Sequence, residues 1–387
     1  MLAALLLVGC EGGGSPAPIP PHTNTSGLRP TAPVRATPGQ PTATASPSGA
    51  VRRLPPITLI ADLSEEPATW EPAFFIPFGT GVHEVGGLLT KRLASQPVVP
   101  PSFAIDRDGS LWLLDLVKHR IVHYGRDGRY IGQVGGLEFN RFRPYAQDVG
   151  FAGNRLYVHE FTHTTLQVFV RTVTPAGISP RLRVESAGHP LRVAHLVSPQ
   201  LELVGWSEGR SGVNGNPPQG GPTGYHVIDA TSGVATHVLG AMLADGTRLG
   251  IGPEGGNENT RVILHHEVGG EDRQTMIRLR VQPAGDPDDE IRVTASWQGY
   301  AALPNGLAVY VQFAPLRVVD EERSHGPTRW LLEYFDDGEP LVWEPIPDSP
   351  LEGAYIWRHL AQGLDGHLYL MLAEKEGMRV YRRPRAA

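Results

Sequence analysis

The chain has 387 residues, of which 40% are hydrophobic, so it is long enough to bury a sizeable core. Gly (46) and Pro (36) together make up about a fifth of the chain, which argues against a coiled coil or a helix bundle because both residues break helices. The net charge is −6 and the arginines are dispersed, so the chain lacks the basic face that nucleic-acid binding requires. No nucleic-acid partner is expected.

The chain begins with an apolar stretch that is too short to span a bilayer and resembles the apolar region of a secretory signal. The tetrapeptide Leu7-Val8-Gly9-Cys10 looks like a bacterial lipobox, in which the peptide is cut before the cysteine and the thiol is acylated. Residues 1–9 are therefore predicted to be a lipoprotein signal peptide. Cys10 is predicted to carry the lipid that anchors the protein to a membrane.

One feature departs from the signal pattern, because no Lys or Arg precedes the apolar stretch. Two explanations stay open: the true start lies upstream, or the export signal is weak. Cys10 is the only cysteine, so a lipidated chain has no thiol left for a disulfide, a thiolate metal site or a nucleophile. A folded body of about 330 residues does not need disulfides to be stable.

Residues 10–55 are rich in Gly, Pro, Ser, Thr and Ala, and their prolines recur without a fixed period. Such a composition is typical of a tether that is partly extended and partly flexible. It has too few large apolar residues to form a core. The sequence thus predicts a disordered linker between the anchored cysteine and a folded body at residues 56–387.

The body opens with a unit of strands and turns. Residues 101–115 form a short strand, an Asp-Gly turn and an alternating strand, and 118–124 and 126–132 add two further strands around a second Asp-Gly turn. Asp-Gly between alternating apolar runs is a strong hairpin signal. The segment therefore predicts a four-stranded antiparallel sheet.

The unit recurs five more times, more weakly, with a spacing of about 45 to 60 residues. The second unit contains 148–158 and 165–169. In the later four units, the predicted second strands are 201–204, 261–264, 307–311 and 368–372. The predicted third strands of these units are 225–228, 276–279, 330–334 and 378–381. Four strands in each period of this length are typical of propeller blades.

The sequence therefore predicts an all-β fold, a six-bladed β-propeller with four-stranded antiparallel blades. The sixth unit ends at its third strand, and the segment 56–62 is a spare strand before the first unit. We expect this N-terminal strand to complete the sixth blade and close the ring, because an open ring leaves exposed strand edges. The alternative is an unrelated β-sandwich.

Residues Asp106–Asp115 and Arg120–Tyr124 resemble the NHL-type repeat of six-bladed β-propellers. The resemblance covers about 70 residues well and the rest of the body by pattern, because later units lose the Asp after the second strand and the Arg-Ile pair. Propellers of this kind include binding proteins and enzymes, so the resemblance implies the fold and leaves the activity open.

The segment His159-Glu-Phe-Thr-His163 matches the zinc-protease pattern H-E-x-x-H, which needs a helix to bring both imidazoles to one metal ion. Here the segment follows a strand. Aligned on the first unit, Glu160 falls on Asp115, so we expect a polar turn between two strands and a structural role for Glu160. No catalytic residue and no metal ligand is assigned.

Two further segments invite a functional interpretation. His265 and His266 are adjacent in a strand, so they point to opposite faces and are not expected to share one ion. The Gly/Pro-rich segment 207–224 interrupts the third unit and is either a binding loop or a plain insertion. The chain has neither a phosphate-loop spacing nor a Gly-x-Ser-x-Gly element.

The first strand of each blade lines the central channel, where aromatic and polar side chains can form a small pocket. The candidate channel-rim residues at the starts of these strands are Gln147, Asp148, His195, Trp297, Tyr300, Trp357, Arg358 and His359. Two readings stay open: a binding pocket with His195 and His359 as polar groups, or inter-blade packing around a water-filled channel.

The predicted function is that of a lipid-anchored cell-envelope protein whose propeller is a non-enzymatic binding or scaffold module for a protein, peptide or glycan. We expect a monomer without a cofactor. The alternative is a metal-dependent hydrolase or lyase that uses His195, His359 and Asp148 in the channel. Calcium needs six to eight oxygen ligands, and a zinc lyase would need about three histidines, so either enzyme is short of ligands.

Overall fold

The structure is a computed structural model that describes residues 51–88, 97–137, 145–162, 167–186, 189–190, 195–197, 202–207, 224–253, 260–283, 291–315, 328–335, 340–347, 349–351, 354 and 356–383. The chain divides into two units, Met1–Gly49 and Ala50–Ala387. The predicted signal peptide, Cys10 and the predicted tether up to residue 50 lie outside the described residues. In the described part of the chain, no helix is long and apolar enough to cross a membrane.

The regular elements of the described residues are strands. The first three are β1 (Val51–Arg53), β2 (Ile57–Asp62) and β3 (Glu71–Pro77). Blade I contains β4 (Phe103–Ile105), β5 (Leu111–Asp115), β6 (Arg120–Tyr124) and β7 (Tyr130–Gly135). Blade II contains β8 (Tyr145–Ala152), β9 (Arg155–Thr162), β10 (Gln167–Thr174), β11 (Gly177–Ile178) and β12 (Leu182–Arg183). A small sheet of β13 (Glu185–Ser186) and β14 (His189–Pro190) follows.

Three more blades and the start of the last complete the order. Blade III contains β15 (His195–Val197), β16 (Val204–Ser207), β17 (Gly224–Ile228) and β18 (Ala235–Val238). Blade IV contains β19 (Ala241–Met242), β20 (Arg248–Pro253), β21 (Arg261–Val268) and β22 (Glu271–Gln282). Blade V contains β23 (Val293–Leu303), β24 (Gly306–Pro315), β25 (Arg329–Phe335) and β26 (Pro340–Pro345), and blade VI begins with β27 (Leu360–Gln362), β28 (Leu368–Ala373) and β29 (Gly377–Arg382).

Within each blade the strands pair with their sequence neighbours in antiparallel order. The Asp-Gly turns form as predicted, and Gly109, between β4 and β5, adopts a φ of 80° that favours glycine. The first strands of five blades contact one another in a ring: β8 touches β4 and β15, β27 touches β4 and β23, and β15 touches β23. The six-bladed β-propeller predicted from the sequence is confirmed.

The hydrophobic core is divided into layers between neighbouring blades. One layer joins blades I and II, a second joins II and III, a third joins V and VI, and a fourth joins VI and I. The largest layer spans blades III, IV and V. Because both faces of each blade contribute to a core layer, strands such as β5 and β28 are buried along their whole length.

The ring is closed by an N-terminal strand, as predicted, but by a different one. Strand β3 pairs antiparallel with β29 and becomes the fourth strand of blade VI. The prediction that residues 56–62 fill this place is wrong, because β2 pairs in parallel with β22 on the outer edge of blade IV. Arg382 reinforces the closure through an ion pair with Glu71 on the opposite strand, with 2.6 Å between Nη2 and Oε2.

Residues 51–77 therefore form a continuous N-terminal belt around the outside of three blades. Strand β1, which lies within the segment predicted as a tether, also pairs with β22, and it precedes β2 on the same edge. The belt then passes blade V, where the backbone N–H of Ala68 donates to the carbonyl of Pro345 at 2.9 Å. Trp343 Nε1 donates to the Ile60 carbonyl at 2.7 Å and so covers an edge group of β2.

Blade IV departs from the repeat assignment by one strand. The segments 261–264 and 276–279, predicted as second and third strands, belong to the third and fourth strands β21 and β22. The second strand is β20, whose sequence contains Gly250, Gly252 and Pro253. Its glycines interrupt the apolar alternation that identified the other blades. At Gly250 the structure requires glycine, because a side chain there would collide with the Leu239 carbonyl.

Charged groups attach the loop after β3 to blade I. Asp115 accepts hydrogen bonds from the Gly86 N–H at 3.1 Å and from Arg120 Nε at 3.0 Å. Lys118 Nζ donates to the carbonyls of Gly81 and Glu84, both at 2.7 Å. The loop that leaves the closing strand is thus held by the turn between β5 and β6.

Two truncations test the belt. A chain that starts at Leu63 lacks β1 and β2, exposes the apolar contacts of Leu59 and Ala61, and is expected to unfold cooperatively with a Tm about 5–10 °C lower. A chain that starts at Phe78 also lacks β3, leaves blade VI open, and is expected to lose cooperative unfolding. Thermal unfolding followed by circular dichroism distinguishes them. Equal melting temperatures for the two truncations would contradict this assignment of the belt.

Candidate functional site

The predicted channel-rim residues lie on or next to the first strands of four blades. Gln147 and Asp148 lie on β8, and Trp297 lies on β23, where it packs against the core shared by blades III to V. His195 and Tyr300 fall on β15 and β23, but their side chains lie outside the described part of the structure. The remaining three candidates directly precede β27, and they are Trp357, Arg358 and His359.

The structure brings two of these residues together in a buried ion pair. Arg358 Nε lies 2.9 Å from Asp148 Oδ1, and Arg358 Nη2 lies 2.5 Å from Asp148 Oδ2. The side chains are 2% and 0% exposed, respectively. This is a bidentate arrangement, in which the planar guanidinium meets both oxygens of the carboxylate.

Three further donors contact the Asp148 carboxylate. The Leu196 N–H donates to Oδ2 at 2.7 Å, and the Val149 N–H donates to Oδ1 at 2.9 Å. The hydroxyl of Ser102 donates to Oδ1, and the Leu196 carbonyl accepts from Arg358 Nη2. Burying an ion pair carries a large desolvation cost, which such hydrogen bonds offset. We call Ser102, Asp148, Leu196 and Arg358 the channel hub.

The channel hub connects four blades. Ser102 precedes the first strand of blade I, Asp148 lies on that of blade II, Leu196 lies on that of blade III, and Arg358 precedes that of blade VI. Ser102 and Leu196 were missed from the sequence. A serine between Pro101 and Phe103 gives a weak signal for a buried polar contact, and Leu196 contributes only backbone atoms, so its side chain gives no signal.

The other candidates pack or bind locally. The ring of His359 lies flat on that of Tyr310, with centroids 4.5 Å apart and an interplanar angle of 7°. Gln147 Nε2 donates to the Tyr145 hydroxyl at 3.1 Å. The backbone N–H of Trp357 donates to the Pro101 carbonyl at 2.8 Å. Inter-blade packing is therefore the role that the geometry gives to His359.

The H-E-x-x-H segment is not helical, and this agrees with the prediction. The prediction of a turn is wrong for the first residues of the segment, because they lie in a strand. His159 and Glu160 lie inside β9, and both are fully buried, while His163 lies outside the described residues. Glu160 forms ion pairs with Arg171, at 3.0 Å, and with Arg181, at 2.5 Å. The carboxylate therefore bridges two arginines of blade II, which is a structural role, although it is not the turn contact that was expected.

The adjacent histidines of β21 occupy different environments, as expected for opposite faces of a strand. His265 Nδ1 lies 3.2 Å from Asp272 Oδ2 on the neighbouring strand β22. His266 is buried, with 8% of its surface exposed. Across the described residues, no group of three or more His, Cys, Asp and Glu side chains is arranged to hold a metal ion.

One buried histidine escaped the sequence interpretation. His226, on β17, is fully buried, and burial together with the charge of His237 lowers its pKa to about 4. The two imidazole rings make an edge contact with centroids 5.3 Å apart. Because its pKa is so low, His226 is neutral at neutral pH and contributes an uncharged imidazole to the contact between β17 and β18.

Comparisons with known proteins give limited matches. A family model described as "Domain of unknown function (DUF7485)" matches residues 68–137, which contain β3, the loop after it and blade I. No curated protein matches the chain.

Several solved structures are similar to this chain at low identity. Hydrazine synthase from Kuenenia stuttgartiensis is 16% identical over 70% of this chain and 73% of that chain, with a TM-score of 0.40. PQQ-bound aldose sugar dehydrogenase from Streptomyces coelicolor is 14% identical over 73% and 93%, with a TM-score of 0.41. Virginiamycin B lyase from Staphylococcus aureus is 11% identical over 75% and 85%, with a TM-score of 0.37. These values carry no inference about activity.

The channel hub can be tested by removing one partner of its ion pair. Arg358→Met leaves the Asp148 carboxylate buried without its counter-charge, so the free energy of unfolding should fall by about 3–5 kcal/mol. The double variant Asp148→Leu/Arg358→Met should lose less than the sum of the single variants. Urea unfolding measures both. The matched control is Arg382→Met, whose partially exposed pair with Glu71 should contribute at most about 1 kcal/mol.

A loss below about 1 kcal/mol for Arg358→Met, equal to that of Arg382→Met, would contradict the assignment of Arg358 to a buried ion pair.

Glu160 can be tested in the same way. Glu160→Gln leaves Arg171 and Arg181 without their shared carboxylate, so urea unfolding should register a loss of about 2–3 kcal/mol. The control is Glu185→Gln, because the pair of Glu185 with Arg183 is about 40% exposed on both sides and should contribute little. Similar losses for both variants would show that the burial of Glu160 does not matter, and zinc-dependent peptide cleavage lost in Glu160→Gln would restore the protease interpretation.

Proposed function

We propose that this chain is a bacterial cell-envelope lipoprotein with an NHL-type propeller that acts as a non-enzymatic binding or scaffold module. Its partner is a protein, a peptide or a glycan. The anchor is the lipid on Cys10, the segment after it is the tether, and the propeller works as a monomer. The lipobox at Leu7–Cys10 and the Pro-rich composition of the following residues support the anchor and the tether.

The observation that carries the non-enzymatic role is the commitment of Asp148. Its two oxygens accept from Arg358, Ser102 and backbone N–H groups of Val149 and Leu196. A catalytic base or a metal ligand needs a lone pair that faces substrate or ion. Here the lone pairs of Asp148 hold blades together, which supports a channel used as a structural centre.

The alternative enzyme would use Asp148, His359 and His195. A metal ion at Asp148 would have to displace a bidentate guanidinium, and the flat stacking of His359 on Tyr310 favours packing over ligation. Both observations count against a metal-dependent hydrolase or lyase centred on these residues. A binding role is therefore favoured over a catalytic one.

Fractionation of cells tests the anchor. Cys10→Ser removes the acyl acceptor, so the protein should move from the membrane fraction to the soluble fraction, whereas Ser15→Ala in the same segment should leave it membrane-bound. Quantitative immunoblotting of the two fractions is the measurement. Retention of Cys10→Ser in the membrane would overturn the lipoprotein assignment.

Metal analysis of the purified full chain tests the non-enzymatic role. We expect substoichiometric zinc and calcium after dialysis, together with a cross-linked partner that is recovered from intact cells by mass spectrometry. One equivalent of zinc or calcium that survives dialysis, and that Asp148→Asn removes, would instead support the enzyme.

A further inference from the structure

An open cleft of about 510 Å³ lies between blades II and III, away from the channel hub. One wall comes from the β8–β9 hairpin, with Ala152, Arg155 and Tyr157. The other comes from Leu203, which precedes β16, from Val227 on β17, and from the β17–β18 turn. Its volume falls within the range of small-ligand sites.

Two polar side chains of β9 line this cleft without a hydrogen-bond or ion-pair partner among the described residues. Arg155 and Tyr157 are two residues apart on one strand, so they share a face, and both line the cleft. Arg155 is exposed and forms no ion pair with any described residue. Tyr157 is 5% exposed, and its hydroxyl accepts or donates no hydrogen bond to the described residues. The Tyr157 hydroxyl therefore keeps its donor and acceptor capacity for a ligand or for water.

The acidic groups of the cleft are already engaged. Both oxygens of Glu202 accept from Arg248 Nη2, at 2.9 and 3.2 Å. The carboxylate of Asp229 accepts from the Thr231 N–H at 2.8 Å and from the Ser232 hydroxyl at 2.8 Å, and these bonds hold the β17–β18 turn. Among the described residues, Arg155 is therefore the cation of the cleft that has no carboxylate partner, while Asp229 keeps its negative charge at the turn.

We infer that this cleft binds a carboxylate attached to a small apolar body, with the carboxylate on Arg155, a polar atom on the Tyr157 hydroxyl, and the apolar part against Leu203, Val227 and Ala152. A guanidinium pairs with a carboxylate through two parallel hydrogen bonds, which gives orientation as well as affinity. The same chemistry is offered by a peptide C-terminus with an apolar last residue and by a free organic acid. This inference names a ligand class for the proposed binding role. Its biological use rests on that role, whereas binding of the ligand to the cleft does not.

The test uses the full chain carrying Cys10→Ser, with three probes and isothermal titration. The probes are an N-acetylated tetrapeptide that ends in Leu with a free carboxylate, the same peptide with a C-terminal amide, and 3-phenylpropanoate. We expect the peptide acid to bind at least about tenfold more tightly than the amide. Arg155→Gln should remove that difference, and Tyr157→Phe should weaken the acid about threefold to fivefold.

Two controls keep the result specific. Arg129→Gln changes another exposed arginine, on blade I, and should leave the affinity unchanged. Thermal unfolding of each variant confirms that it is folded. Tighter binding of 3-phenylpropanoate than of the peptide acid, lost in Arg155→Gln, would identify a free organic acid as the source of the carboxylate and still support the site.

The inference is overturned if neither acid binds the folded chain, or if Arg155→Gln binds the peptide acid as tightly as the parent does. In that case, recovery of the cross-linked partner with the Arg155→Gln variant would show that the proposed binding role uses another surface of the propeller. If the parent chain binds the peptide acid but no partner is cross-linked to it in cells, the scaffold role is overturned and the assignment of the cleft as a carboxylate site stands.

Discussion

The buried ion pair between Asp148 and Arg358 sets the geometry at the centre of this propeller. The two residues are 210 positions apart in sequence, and with Ser102 and Leu196 they fix the spacing of first strands from four blades. An isolated charge would be too costly in such a place, but five donors surround the Asp148 carboxylate and offset the loss of water. The channel is thus held by polar contacts, while apolar layers hold the blades further out.

The same device recurs between the second and third strands of blades I and II. Asp115 pairs with Arg120 in blade I, and Glu160 pairs with Arg171 in blade II. In each case a fully buried acid neutralises an arginine of the adjacent strand. The family model that matches residues 68–137 covers the first of these pairs together with the closing strand and the loop between them. It thus contains the N-terminal of the two strands that close the ring.

The number of blades and the use of an N-terminal strand for closure could be predicted, because Asp-Gly turns and alternating strands are local signals. The identity of the closing strand could not. Residues 57–62 are an apolar run without proline, whereas β3 contains Pro72 and Pro77, which argue against a central strand but are tolerated at an edge. The candidate site could be predicted in part. Asp148 and Arg358 were identified at strand starts, but no local sequence signal indicates that two residues so far apart pair with each other.

The N-terminal belt also bears on when this fold can be completed during synthesis. Strand β3 leaves the ribosome about 300 residues before its partner β29. A contact of such sequence separation makes closure a late and slow event. Until then the apolar face of β3, with Phe74 and Ile76, has no blade to cover it. A nascent chain of this design therefore depends on protection from aggregation until β29 has been made.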